Sequence, residues 1–273
     1  MSDLQHYVIR GGVEGRERLK ILSRVMHEST AALFERVGVT YGMVCLDIGC
    51  GSGDVTFELA KRVGPSGKAV GADIDTTKIE LAQEEARTLD LTNVEFRKID
   101  IRERPNTQEF DVVHARFLLT HLTDPAGAVE TFYHHLKPGG LVIVQDIDCS
   151  GLFVYPESRA FDRFNELYCL AVRKRGGDPD IGPRLPLLLK EGGFEDVHVS
   201  VTQPIGCEGE IKLMNPLTME NIADACIQDE LATREEIDQI VRELYEYAAN
   251  PKHSLRHTTR RANVGRKPMN AAS

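Results

Sequence analysis

From Met43 onward, short unbroken apolar runs alternate with stretches in which apolar residues recur every three or four positions. The run MVCLDI ends at a cluster of glycines, the pattern of a strand buried on both faces of a parallel sheet. VTFELAKRVG then predicts a helix closed by Gly64, and KAVGADID a second strand. A helix follows over Thr76 to Leu89, with Ile79, Ala82, Ala86 and Leu89 on one face. NVEFRKID alternates as a third strand, and FDVVHARF reads as a fourth. Asp124 to Leu136 predicts a helix, KPGG a tight turn and LVIVQDID a fifth strand. Strand and helix in this order imply right-handed crossovers, so the predicted fold class is α/β, doubly wound and mostly parallel.

Some regions stand outside that rhythm. Residues 14–37 predict an amphipathic helix before the first strand, and 158–176 with 183–193 predict helices after the fifth. A further helical stretch runs from about Leu217 to Ala249, with Ile237, Ile240, Val241, Leu244 and Tyr245 at helical spacing. These helices are either covers for a substrate pocket or additional core. The organisation that results is an N-terminal helical flap over 1–40 and a core over 41–205, with the helices of 152–193 as a partial cap. A helical insertion over 206–250 and a final strand region with its tail over 251–273 complete it.

Composition narrows the function. With 273 residues, 41% hydrophobic and 27% charged, the chain can bury a full core. A formal net charge of -9 argues against broad binding to phosphate backbones, which depends on clustered Lys and Arg. The six cysteines are scattered, with no CxxC pair and no Cys/His set at zinc-ligand spacing, so they read as small buried hydrophobes and no metal is expected. MSDLQHYVIRGG lacks the build of a signal peptide, and no apolar run approaches the roughly 20 residues of a membrane span. The expectation is a cytoplasmic protein with a small-molecule partner, no nucleic acid and no membrane, acting as a monomer or homodimer.

The chemistry is concentrated in CLDIGCGSGD, Cys45 to Asp54. Its glycines sit where the first strand turns into the first helix, at the carboxyl edge of the sheet where open α/β folds bind ligands. Without Cβ the backbone can turn sharply and approach a ligand. A dinucleotide loop reads G-x-G-x-x-G, whereas Gly49, Gly51 and Gly53 are spaced G-x-G-x-G with Asp47 two residues ahead. A carboxylate there would repel a pyrophosphate and suits a ligand carrying an ammonium and a sulfonium, which favours S-adenosylmethionine.

With LDIGCGSG, Asp73 closing VGADI, Asp100 in RKIDI, FDVVHARFLLTHL and LKPGGLVIVQD in order, the chain resembles the class I S-adenosylmethionine-dependent methyltransferases, of the small-molecule, UbiE-like group. The resemblance implies a seven-stranded Rossmann-like sheet. It also implies cofactor contacts from Tyr7, Asp47, Gly49, Cys50, Gly51, Asp73, Ile74, Asp100, Ile101, Ala115 and Arg116. Asp73 would receive the ribose hydroxyls, Ile74 would lie beside the adenine and Asp100 would pair with the adenine amino group. The N-terminal YVIRGGVEGRERL is similar to the family's flap, from which Tyr7 and Arg18 either reach the site or serve packing or face solvent. Asp47 could instead cap the first helix, Asp100 could be a turn residue and Gly53 could serve only packing.

Methyl transfer from a sulfonium gains mainly from alignment and exclusion of water, so a general base is optional. Candidates at the ends of strands four and five are His114 and His121 as bases, with Arg116, Asp146 and Asp148 beside them. A nicotinamide-dependent oxidoreductase and a non-catalytic cofactor binder are the alternative readings. The C-terminal HSLRHTTRRANVGRKP is basic and polar where the family places an apolar final strand. One set of codons for Arg256 to Gly265, read one base over, spells V-I-P-R-V-V-Q-T-W-G. Two accounts follow: a compensated frameshift or sequencing error, or a segment that is genuinely polar.

Overall fold

Successive residues of the central strands feed opposite apolar layers, because side chains alternate across a pleated strand. Leu46, Val70, Val113 and Val142 join Phe132, Leu185 and Leu189 on one side of the sheet, while Cys45, Ala69, Val112 and Ile143 join Phe34, Leu59 and Val63 on the other. The computed structural model describes residues 8–9, 12–105, 107–256 and 259–269.

The chain runs α1 (Gly12–Arg36), β1 (Val44–Ile48), α2 (Asp54–Val63), β2 (Lys68–Asp73), α3 (Thr76–Thr88), β3 (Val94–Lys98), β4 (Phe110–Arg116), α4 (Pro125–His135) and β5 (Leu136–Asp148). It continues with β6 (Phe153–Tyr155), α5 (Arg159–Lys174), α6 (Leu185–Glu191), β7 (Glu195–Thr202), β8 (Ile205–Gly206), α7 (Met214–Gln228), α8 (Arg234–Ala249), β9 (Ser254–Arg256) and β10 (Thr259–Arg266). The main sheet has seven strands in the order β3-β2-β1-β4-β5-β10-β7, with β6, β9 and β8 in a small second sheet. The strand order turns back between β1 and β4, which opens a crevice at their carboxyl ends.

Local chemistry sets the boundaries. Asp75 caps α3 by accepting from the Thr77 and Lys78 amides, Ser158 and Thr233 cap α5 and α8, and Gly64 at φ 66° closes α2. α5, α7 and α8 pack on one another in an apolar cluster of their own that includes Phe161, Phe164, Ile222 and Leu244. Ile21, Leu22 and Met26 of α1 close on Met214, so the N-terminal helix ties this cap to the sheet. Among the described residues no helix is long and apolar enough to cross a membrane.

Several expectations need correction. The helical stretch 217–249 is two helices, because Leu231 folds back to the Cys226 carbonyl and Thr233 starts a new helix. In α8 the buried tyrosine is Tyr247, which takes the place expected of Tyr245 in the apolar stripe. α3 stops at Thr88 and leaves Leu89 46% exposed. KPGG lies within β5, which begins at Leu136 and shifts register before Leu141. The polar C-terminal segment is a strand after all: β10 inserts antiparallel between β5 and β7 and is hydrogen-bonded on both edges. Sheet neighbours satisfy its backbone whatever its side chains, and Arg261 pairs with Asp148 at 3.1 Å. Asn263 is the residue that fits worst, fully buried with its Oδ1 lacking a hydrogen-bond partner among the described residues.

Candidate functional site

β1 ends at Ile48, and the chain then turns through Gly49, Gly51 and Gly53 with φ of 71°, 56° and 86°, a left-handed region that residues with a Cβ rarely enter. The three glycines serve different ends. A Cβ on Gly53 would stand 2.9 Å from Phe96 and 3.0 Å from Phe57, so this glycine permits α2 to pack on β3. Among the described residues a Cβ on Gly51 would meet only Leu19 at 3.5 Å, and both Gly49 and Gly51 line a cavity of about 600 Å³ at the carboxyl ends of the strands.

Carboxylates line one wall of this cavity. Asp73, at the end of β2, accepts the Gly51 amide on Oδ2 at 3.1 Å and the Asp75 amide on Oδ1 at 3.0 Å. Asp47 is almost fully buried; Thr56 Oγ1 donates to its Oδ2 at 2.7 Å and His114 Nδ1 contacts its Oδ1 at 2.8 Å. The N-cap of α2 is Gly53 and no side chain caps it, so Asp47 does not serve as the cap. Asp100 accepts from the Arg102 backbone and side chain, and the Arg102 hydrogen bond holds its carboxyl below the usual range. Ile74, Ile99 and Ile101 supply an apolar strip between the acids. Burial pushes the Cys50 thiol well above its ordinary pKa, with Asp47 and Asp73 adding to the shift, so it stands in this wall as a neutral group.

A second group of lining residues is cationic and aromatic. Arg116 closes β4, lines the cavity and donates to Thr30 Oγ1 at 3.3 Å; burial lowers its pKa, which Asp47 and Asp54 partly offset. Phe117 follows with φ 55°, a conformation that an aromatic residue holds at a cost of about 1–3 kcal/mol. Its amide donates to the Gln145 carbonyl at 2.9 Å, and its ring lies 4.9 Å from the Arg260 guanidinium. Arg260 is itself 2% exposed, and burial with the neighbouring Arg116 and Arg18 charges drives its pKa down. The cap contributes Phe164, Asn165 and Tyr168 from α5, and Asn215 and Thr218 from α7.

The residues expected from sequence fall into groups. Asp47, Gly49, Cys50, Gly51, Asp73, Ile74, Asp100, Ile101, Arg116, Arg18 and His121 line the cavity together. Ala115 does not line it, being buried in the apolar layer beside Ile48. Tyr7 lies outside the described residues. His114 shares a face with Arg116, as strand alternation requires, yet sits two residues deeper, about 6–7 Å down the strand. It is fully buried with both nitrogens engaged, Nε2 with Gln145 Oε1 at 3.2 Å, and does not line the cavity. His121 does line the cavity, but burial, reinforced by Arg18 and Lys78, lowers its pKa to about 3, so it is a neutral imidazole and a weak base. Asp146 is buried against the Thr120 and Ile147 amides, and Asp148 pairs with Arg261 and caps the turn at Ser150; neither lines the cavity. Among the described residues no group of three His, Cys, Asp or Glu could hold a metal ion.

Sequence reasoning missed Phe117, Arg260 and the polar residues of the cap. No local motif marks them, since they meet only when β10 and the cap fold over the strand ends.

Comparison with known proteins agrees with this geometry. The methyltransferase domain family matches residues 40–174. The ubiquinone/menaquinone biosynthesis C-methyltransferase UbiE of Escherichia coli O1:K1 / APEC is 33% identical over 132 residues, 47% of this chain and 51% of that protein. The chain thus spans about half the length of the relatives it matches. Among solved structures, a putative methyltransferase from Bacillus halodurans C-125 superposes with a TM-score of 0.57 over 88% of this chain and 99% of its own, at 23% identity. The [4+2]-cyclase SpnF does so with a TM-score of 0.56 over 88% and 81%, at 19% identity, so the fold is shared by proteins named for different reactions. Over residues 40–174 the chain carries a methyltransferase domain, on the seven-stranded, mostly parallel sheet described above.

Proposed function

We propose that the chain binds S-adenosylmethionine and transfers its methyl group to an O, N, C or S nucleophile of a small molecule. The observation that carries this reading is the pairing of a Cβ-free loop at Gly49 and Gly51 with two buried carboxylates, Asp47 and Asp73, in one cavity. Asp73 has acceptor capacity beyond its two amide bonds and suits a vicinal diol. Asp47 and Arg116, carried by the neighbouring strands β1 and β4, offer opposite charges to the ammonium and carboxylate of an amino-acid end. Ile74 and Ile101 give a planar base an apolar slot, with Asp100 at its edge. The bound cofactor supplies an electrophilic methyl group that needs no further activation.

The protein's own share is placement. Leu22, Leu152, Phe164 and Tyr168 make the acceptor side of the cavity largely apolar, which excludes water and favours an acceptor with an apolar body. A neutral His121 can accept a hydrogen bond from an acceptor hydroxyl but takes little of its proton, so rate comes chiefly from alignment.

Calorimetry with S-adenosylmethionine and with NAD, followed by labelled-methyl turnover on quinone-ring, polyketide-like and amine acceptors, tests the reading. Cofactor binding with label transfer supports it. Binding of NAD in place of S-adenosylmethionine would overturn it, and binding without transfer to any acceptor would leave a non-catalytic binder on this fold.

A further inference from the structure

Behind the cavity a line of buried polar side chains joins its acidic pole to its basic one. Thr56 Oγ1 donates to Asp47 Oδ2 at 2.7 Å, His114 Nδ1 donates to Asp47 Oδ1 at 2.8 Å, and His114 Nε2 meets Gln145 Oε1 at 3.2 Å. Thr30 Oγ1 donates to the same Gln145 oxygen at 3.5 Å, and Arg116 donates to Thr30 Oγ1 at 3.3 Å. Thr30, Asp47, Thr56, His114 and Gln145 are each less than 5% exposed, so water does not compete for these bonds. Directionality closes the chain. Arg116 can only donate, so Thr30 passes its own proton to Gln145 Oε1, while Asp47 accepts at both ends. Gln145 is the hub: its side-chain amide meets both His114 Nε2 and Thr30 Oγ1, and its backbone oxygen holds the strained Phe117 amide at 2.9 Å. In the sheet it lies opposite Arg116, and its strand neighbour β10 places Ala262 on its other side.

A cluster of this kind, with few unsatisfied atoms at the centre of a sheet, is expensive to build where apolar residues would pack as well. Its two ends are the two charged groups that the proposed function assigns to one amino-acid moiety, and His114, Gln145 and Thr30 between them do not line the cavity. We propose that Gln145, with His114 and Thr30, is a positioning device that holds the Asp47 carboxylate and the Arg116 guanidinium at the separation needed to grip the ammonium and carboxylate of the cofactor's methionine end. This inference rests on the proposed function and adds to it residues that act through others. Thr30 brings α1 into the same network, so the seating of the N-terminal helix is coupled to the grip.

Two ligands that differ only at that end separate positioning from general packing. S-adenosylhomocysteine carries the amino-acid moiety, whereas 5′-methylthioadenosine lacks it and keeps the adenosine part. Calorimetry on the full chain compares wild type with Thr30→Val, which removes one hydroxyl at constant shape, and with Gln145→Met, which removes the hub. Thr30→Ser restores the hydroxyl. The expected result is S-adenosylhomocysteine binding weakened about fivefold to tenfold in Thr30→Val and Gln145→Met, the loss of one or two buried hydrogen bonds, with Thr30→Ser near wild type. Binding of 5′-methylthioadenosine should stay within about twofold of wild type in all three. Parallel weakening of both ligands, or no change in S-adenosylhomocysteine, overturns the proposal. Wild type that binds neither ligand overturns the cofactor reading itself. If Gln145→Met does not fold, the Thr30 pair decides the outcome alone.

Discussion

On the β1–β2 flank the cavity wall is mostly backbone: the Gly49 and Cys50 amides turn back to the Ala72 carbonyl at 2.7 and 3.0 Å, and the Gly51 amide to Asp73. On the β4–β5–β10 flank it is mostly side chain, with Arg116, Phe117 and Arg260 carried in on strands whose own backbones are committed to the sheet. A wall made of backbone demands residues of one conformational type at fixed places. A wall made of side chains can be assembled from elements far apart in sequence, and it tolerates groups such as Asn263 that no local rule would place in a buried strand.

Breaking the backbone wall has the largest expected effect. Gly53→Ala adds a Cβ at φ 86° and 2.9 Å from Phe96, so backbone strain and overpacking together should remove about 2–4 kcal/mol of stability. Chemical denaturation measures it, and a loss under about 1 kcal/mol would mean that the loop yields easily, contrary to the contrast drawn here.

Asp73→Ala comes next. Loss of charge-assisted hydrogen bonds to a diol amounts to about 1.5–3 kcal/mol, hence a cofactor dissociation constant raised about tenfold to a hundredfold. An unchanged constant in calorimetry would show that Asp73 serves the Gly51 and Asp75 amides alone.

The third test reads the buried titratable groups of the side-chain flank. Burial lowers His121 to about 3 and His135 to about 4, and raises Asp146 to about 7. Between pH 5 and 6 the unfolded chain protonates both histidines, near an ordinary pKa of about 6.5, while the folded chain leaves them neutral. Over the same window the folded chain keeps Asp146 protonated and the unfolded chain does not. Two protons favour unfolding as pH falls and one opposes it, so these three groups make stability rise by about 1.4 kcal/mol per pH unit on going from pH 5 to 6. Denaturation of wild type and His121→Gln at both pH values checks the sign. The variant should flatten the rise by about one proton, and Asp146→Asn should steepen it by as much.

Smallest is Asn263→Val. Replacing a buried amide whose oxygen has no partner among the described residues by a β-branched apolar side chain should raise stability by about 1 kcal/mol. A loss instead would show that the amide contact to the Arg261 carbonyl matters to the strand. Resequencing the codons for Arg256 to Gly265 bears on the same strand, since an altered frame would supply the apolar residues that its position accommodates.

Much of the backbone wall was legible in the chain because its causes are local. The apolar run before Gly49, the spacing of the three glycines and the acid two residues ahead of them depend on φ, on the absence of Cβ and on alternation along one strand, all properties of contiguous residues. The surroundings of Asp47 and Gly53, open between two accounts on sequence alone, are contacts at a distance: Thr56 and His114 hold the one away from the helix cap, and Phe96 packs against the other. The same holds for depth. Alternation put His114 and Arg116 on one face, and only the tertiary structure set the first behind the cavity and the second at its edge. β10 is the extreme case, for its polar residues argued against a strand while its place between β5 and β7 made one, backbone hydrogen bonds on two edges outweighing side-chain preference. What the sequence by itself determined is therefore the α/β order and the glycine loop with its acids, set by short-range sterics and periodicity. What the tertiary structure alone decided is the cap, the aromatic and cationic wall and the Asp47–His114–Gln145–Thr30 network, because burial and the pKa shifts it causes belong to the assembled surroundings of a group and to no stretch of chain.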